Sequence, residues 1–83
     1  MQWVLQDYDF GQNVQRYRCA AGLSQSQIVT KMQLLGSTIS RSAFSKIERG
    51  RRNIKVSDLV ALQRILGVEY SDILEPFTPS VSE

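Results

Sequence analysis

The 83-residue chain has no histidine and a single cysteine, Cys19. Without histidine, the commonest general base and the commonest metal ligand are missing. One thiol builds neither a zinc site nor an internal disulfide framework, and it suits a reducing cytosol. Cys19 falls on the first predicted helix, with no helix N-terminus beside it, and reads as a small packing residue rather than a reactive thiol. The five glycines stand singly, so no glycine-rich phosphate loop exists. The acids include no spaced pair suited to acid–base work. No apolar run approaches the roughly 20 residues of a membrane span. Met1–Asp7 lacks the basic start and long apolar core of a signal peptide. Internal repeats and low-complexity segments are absent, and strand signals are confined to a loosely alternating N-terminal arm. An enzyme, a cofactor, a metal and a membrane are therefore all unexpected.

What is present is the composition of an ordinary soluble domain, 42% hydrophobic and 22% charged, rather than that of a disordered tail. The length allows one core and not two. The net charge is only +2, but six of the ten basic residues lie between Arg41 and Lys55, with Glu48 the one acid among them. A basic patch on a nearly neutral domain steers polyanions to one face. A cytoplasmic, nucleoid-associated location follows from that reading.

The pattern divides into an N-terminal arm (1–8), a helical domain (9–75) and a C-terminal tail (76–83). Trp3 in the arm reads as a packing residue or a small dimer contact. Asp9 is the expected cap of a first helix, about Phe10 to Ala21, with Phe10, Val14, Tyr17 and Ala21 as its apolar stripe and Gln12, Asn13, Gln15 and Arg16 facing water. Arg18 lies beside the stripe and needs a buried partner. Ser24 caps a second helix, with Gln27 completing a capping box and Ile28, Val29, Met32 and Leu35 turned inward. Gly36-Ser37-Thr38 is turn chemistry, and Ile39 is expected to be buried just before the next cap. After the third helix, Ile54 and Val56 anchor a loop. Ser57 or Asp58 opens a fourth helix to about Leu66, with Leu59, Leu62, Ile65 and Leu66 inward. A short fifth helix, about Tyr70 to Glu75, ends at Pro76.

The third helix carries the basic cluster. Ser40 reads as its N-cap, Phe44 and Ile47 as its inner face, and Gly50 as its stop. Arg41, Ser42, Ser45, Lys46 and Arg49 fall on the other faces, and Arg51, Arg52 and Asn53 follow at once. A short helix with a small, polar, basic N-terminal half and a basic loop behind it suits a tip placed in a DNA groove with phosphates held on either side.

Gly22-Leu23-Ser24-Gln25, then Ile39-Ser40-Arg41-Ser42, then Ser45-Lys46-Ile47-Glu48-Arg49-Gly50-Arg51-Arg52, then Asp58-Leu59 and Leu66-Gly67-Val68 resemble the phage-repressor (Cro/cI-like) helix-turn-helix family, also called the xenobiotic-response-element family. The resemblance runs from about Phe10 to Leu74. It implies an all-α, five-helix bundle whose third helix enters the major groove of double-stranded DNA. It implies that Arg41, Ser42, Ser45 and Lys46 read bases. Gln25, Arg49, Arg51, Arg52 and Asn53 would hold phosphates, with Gln25 also bracing the recognition helix. It further implies an internal ion pair of Arg18 with Glu48. The chemistry agrees, since an arginine fork matches guanine O6 and N7, and small Ser42 and Ala43 permit close approach.

Two departures stand out. The link between helices two and three, Met32 to Ile39, is about five residues longer than usual for the family, through either a longer helix two or a larger loop. Val29 replaces the small residue usual on the inner face of helix two. The function expected is a transcription regulator, most simply a repressor, acting as a homodimer; its dimer surface is not legible, the apolar candidates being helix five with Leu74 and Phe77 and the arm with Trp3. The competing reading is a protein-interaction module of the same fold, whose partner would be a protein effector such as an anti-repressor, a toxin or polymerase.

Overall fold

Five helices account for the described residues, 8–74, of this computed structural model. They are α1 (Tyr8–Ala20), α2 (Gln25–Leu34), α3 (Arg41–Glu48), α4 (Val56–Leu66) and α5 (Tyr70–Ile73). The fold is an all-α bundle containing a helix-turn-helix, α2 and α3. The first helix packs on α3 and α5, and α2 packs on α3 and α4. Where these helices meet lies one core, with Phe10 and Val14 from α1, Ile28 and Met32 from α2, and Phe44 and Ile47 from α3. Leu62 from α4, Ile73 from α5 and the loop residue Ile54 complete it. Among the described residues, no buried side-chain nitrogen or oxygen lacks a hydrogen-bond partner, and no helix is long and apolar enough to cross a membrane.

Local chemistry sets the helix ends. Ser24 Oγ accepts from the Gln27 amide at 3.1 Å while Gln27 Oε1 accepts from the Ser24 amide at 2.8 Å, so α2 opens on a reciprocal capping box. Ser40 Oγ accepts from the Ala43 amide at 3.1 Å at the start of α3. Both helices close the same way. The Ser37 amide reaches back to the Met32 carbonyl at 3.1 Å and the Arg51 amide to the Lys46 carbonyl at 2.8 Å. Each closure passes through a left-handed glycine, Gly36 at φ 102° and Gly50 at φ 73°, a conformation that costs a side chain dearly.

Several sequence-based expectations are corrected. The first helix already includes Tyr8 and Asp9, so Asp9 is not its cap, and Ala21 lies past the helix end, exposed. Asn13 is buried, not solvent-facing. It donates to the carbonyls of Asp72 and Ile73 at 2.6 Å each and so ties α5 to α1. Cys19 is exposed rather than a packing residue, because helical rotation carries it about 180° from Phe10. Leu35 is 52% exposed, because α2 ends at Leu34 and the chain turns away there. The fourth helix starts at Val56, with Lys55 in the cap position and no side-chain hydrogen bond to the cap. Val56 is thus a first-turn residue in solvent rather than a loop anchor, and Ile54 alone fills that role. Asp58, offered as a cap, is instead a buried hydrogen-bond acceptor. The expected arm ends one residue early, since Tyr8 belongs to α1; residues 1–7, the tail, Trp3 and Phe77 lie outside the described residues.

The first helix approaches α3 closely at Gly11. A Cβ on Gly11 would collide with the backbone carbonyl oxygens of Ile47 and Glu48. Gly to Ala inside an exposed helix ordinarily gains up to about 1 kcal/mol. Here the obstacle is backbone, which yields less readily than a side chain, and overpacking costs typically about 1–3 kcal/mol. Gly11→Ala is therefore expected to lower the denaturant midpoint, and a higher midpoint would show that α1 moves off α3 at no cost.

Candidate nucleic-acid interface

Helical phase sorts the residues of α3 into two faces. At about 100° per residue, Arg41, Ser42, Ser45, Lys46 and the C-cap residue Arg49 fall within an arc of about 140°. Arg41, Ser42, Lys46 and Arg49 are exposed and Ser45 half-buried, whereas Ala43, Phe44, Ile47 and Glu48 are buried. Arg51, Arg52 and Asn53 stand exposed immediately behind Gly50. The eight-residue helix thus presents its small and cationic side chains outward and is held by its apolar ones.

The one acid in this basic stretch is removed from the surface. Glu48 is 4% exposed. Its Oε2 accepts from Arg18 Nε at 2.7 Å and its Oε1 from Arg18 Nη2 at 3.2 Å, a bidentate pair. Arg18 Nη1 also donates to the Leu23 carbonyl at 2.8 Å, which fastens the α1–α2 corner. Hydrogen bonding to Glu48 holds the Arg18 guanidinium above its ordinary pKa against the opposing pull of burial, so this cation stays charged. Gln25, half-buried in the first turn of α2, donates from Nε2 to Glu48 Oε1 at 2.8 Å. Three helices therefore meet on one carboxylate, and α3 is oriented from both sides. The side-chain amide of Gln25 carries a second N–H beyond the one given to Glu48.

The link between the two helices is divided between helix and loop. The second helix runs to Leu34, and the chain then needs Leu35 to Ser40 before α3 begins. Val29 is accommodated on the inner face at 5% exposure. Among the described residues, no group of three or more cysteine and carboxylate side chains is arranged to hold a metal.

A helix-turn-helix domain family matches residues 9–74, nearly the whole described chain. The chain belongs to this family. The chain is 35% identical over 66 residues to an uncharacterized HTH-type transcriptional regulator, y4dJ, of Sinorhizobium fredii, covering 80% of this chain and 79% of that protein. It is 32% identical over 66 residues to the control protein C.BamHI of Bacillus amyloliquefaciens, covering 80% and 76%. The crystal structure of the restriction-modification controller protein C.AhdI from Aeromonas hydrophila superposes with a TM-score of 0.69 at 29% identity, covering 80% of this chain and 92% of that one. The fold and these relatives place it among the Cro/cI-like helix-turn-helix DNA-binding transcription regulators.

Within this helix-turn-helix protein, the site residues expected from the sequence separate by environment. Arg41, Ser42, Lys46, Arg49, Arg51, Arg52 and Asn53 are exposed, Ser45 is half-buried within the α3 arc, and Arg18 and Gln25 are joined to α3 through the buried Glu48 carboxylate. Sequence reasoning missed Gln33, Ser37 and Asp58, which brace the link. Ser37 and Asp58 meet across 21 positions of chain, so no local pattern announces them. Asn13 did leave a signal, since it lies three residues after Phe10 and beside Val14 on the apolar stripe.

Removing the charge of Glu48 would leave a buried guanidinium without a counter-ion. Glu48→Gln is expected to destabilise the fold by about 2 kcal/mol or more, because losing one partner of a buried pair is far costlier than losing a surface one. Thermal melting reads this directly, and a midpoint equal to the parent's would mean that the pair contributes nothing to stability.

Proposed function

We propose that this regulator is a sequence-specific repressor that reads the major groove of double-stranded DNA with α3, as a homodimer. The observation that carries the reading is the solvent-facing arc of Arg41, Ser42, Ser45, Lys46 and Arg49, from whose stretch the sole acid has been buried and neutralised. Arg41 and Ser42, at the helix tip, take the base edges. Ser45 and Lys46 reach bases or the flanking backbone. Arg49, Arg51, Arg52 and Asn53 hold phosphates, and the second amide N–H of Gln25 meets another. An enzymatic role finds no support in this site, and the relatives are regulators.

Dimerisation follows from size. One such module buries only about 600–1,000 Å² on DNA, too little for useful specificity, and two modules fit half-sites about 34 Å apart. Repression is the simplest outcome of occupying such a site, since it requires no further contact.

The test is duplex binding across a salt series, with a half-site obtained by selection from random DNA. Retardation of random duplex at low salt, lost at high salt, is expected. Failure to bind at any salt would return the bundle to a protein-binding role. Arg41→Ala is expected to weaken the selected site by about 1–3 kcal/mol more than random DNA, and equal losses would reassign Arg41 to the backbone. Arg51→Ala or Arg52→Ala is expected to weaken both DNAs alike and to flatten the log–log salt dependence by about one unit. A slope equal to the parent's would take them off the phosphate surface.

A further inference from the structure

Ile39 precedes the N-cap of α3, and its backbone is gripped on both sides. Its amide donates to Ser37 Oγ at 3.0 Å, and its carbonyl accepts from Gln33 Nε2 at 2.9 Å. The Ser37 hydroxyl passes the hold onward, donating to Asp58 Oδ1 at 2.7 Å. Asp58 is 8% exposed, in the first turn of α4. The Ile39 side chain is itself buried at 7% exposure. A polar chain thus runs from α2 through Ile39 and Ser37 to α4, and the recognition helix begins where it is anchored.

We infer that Gln33, Ser37 and Asp58 are positioning residues that set the angle at which the tip of α3 meets base edges, and that they govern discrimination between sequences rather than DNA affinity as such. The inference rests on the reading of α3 as the base-reading helix. Arg41 and Ser42 are the second and third residues after Ile39, so any slack at Ile39 is transmitted to them with almost no intervening chain. A bidentate base contact tolerates only about 0.5 Å and 10–20° of error. Phosphate contacts from the loop Arg51–Asn53 lie at the other end of α3, chiefly on two long arginine side chains that adapt to small rotations. The core holds the first turn of α3 through Ala43 and Phe44 but grips the link before it at a single side chain. Leu35 and Thr38 are exposed, and Ile39 is the one residue of the link with its side chain buried. The usual short turn needs no such clamp. A six-residue link does, and these three polar side chains supply it.

The experiment compares affinity for the selected half-site pair with affinity for random duplex, using the full chain and its variants at one salt concentration. In Ser37→Ala the ratio of the two affinities is expected to fall by about tenfold, the loss of one well-aligned base contact, while the salt slope on random duplex stays at the parent's value. Ser37→Thr keeps the hydroxyl and is expected to restore the ratio. Simple destabilisation would reduce the folded fraction for both DNAs alike and leave the ratio unchanged. Gln33→Ala, at an exposed position that leaves the core intact, is expected to lower the ratio in the same way and covers the case in which Ser37→Ala fails to fold. A parental ratio in the folded variants overturns the positioning role. A parent that shows no preference for any sequence overturns the base-reading function beneath it instead.

Discussion

Much of this structure depends on one carboxylate. Glu48 lies at the end of the recognition helix, and its two oxygens take donors from α1 and from the first turn of α2. A buried ion pair is a poor source of net stability, since desolvating two charges offsets most of their attraction. What it supplies is direction. Apolar contacts through Phe44 and Ile47 would tolerate rotation of α3 about its axis, because dispersion forces are weakly directional. The forked Arg18–Glu48 geometry tolerates much less. The same interaction clears the face of α3 of negative charge, so folding and the outward electrostatic field are settled together.

The pair also explains why α1 approaches α3 at a glycine. Arg18 reaches Glu48 only if the two helices lie close, and Gly11 lets the α1 backbone sit directly on the carbonyls of Ile47 and Glu48. The glycine admits the approach, and the ion pair makes it worth keeping. Asn13 then extends the hold of α1 to α5 through two backbone carbonyls. The first helix is therefore the frame against which the recognition helix and the C-terminal turn of the domain are both registered.

Much of this was legible from residue types at short range. Ser24 with Gln27, Ser40, Gly50 and the Phe44–Ile47 spacing act within one turn of chain, and the starts they predict for α2 and α3 and the stop they predict for α3 lie within a residue or two of those observed. The inner face of α2 was legible through Met32 and failed at Leu35, because helical phase stops predicting anything once the helix has ended. The solvent face of α3 was legible for the same reason as its core face, one being the complement of the other. What stayed hidden depends on contacts distant in sequence. Nothing near Asp58 says that it serves a serine 21 residues earlier, so it reads as a helix cap, which is the commonest use of aspartate at that place. Cys19 and Asn13 were misassigned within a helix correctly found. Both reflect composition outweighing phase, a small thiol presumed buried and an amide presumed wet.

The division of labour along α3 follows from its two ends. The C-terminal end is fixed by the closure at Gly50 and by Glu48, and it leads into the cationic loop proposed to lie near phosphates. The N-terminal end carries the small side chains and Arg41, which need to be at particular places. A tether at the C-terminal end alone would leave the tip to swing, because an eight-residue helix is a lever about 12 Å long and a few degrees at its base move its tip by a fraction of an ångström. The long link brings that problem with it, and the polar grip on Ile39 answers it two residues before Arg41, beside the cap at Ser40 and the burial of Ala43 and Phe44. On the proposed reading of α3, attraction to DNA and choice among DNA sequences fall to opposite ends of one helix, held by separate sets of bonds.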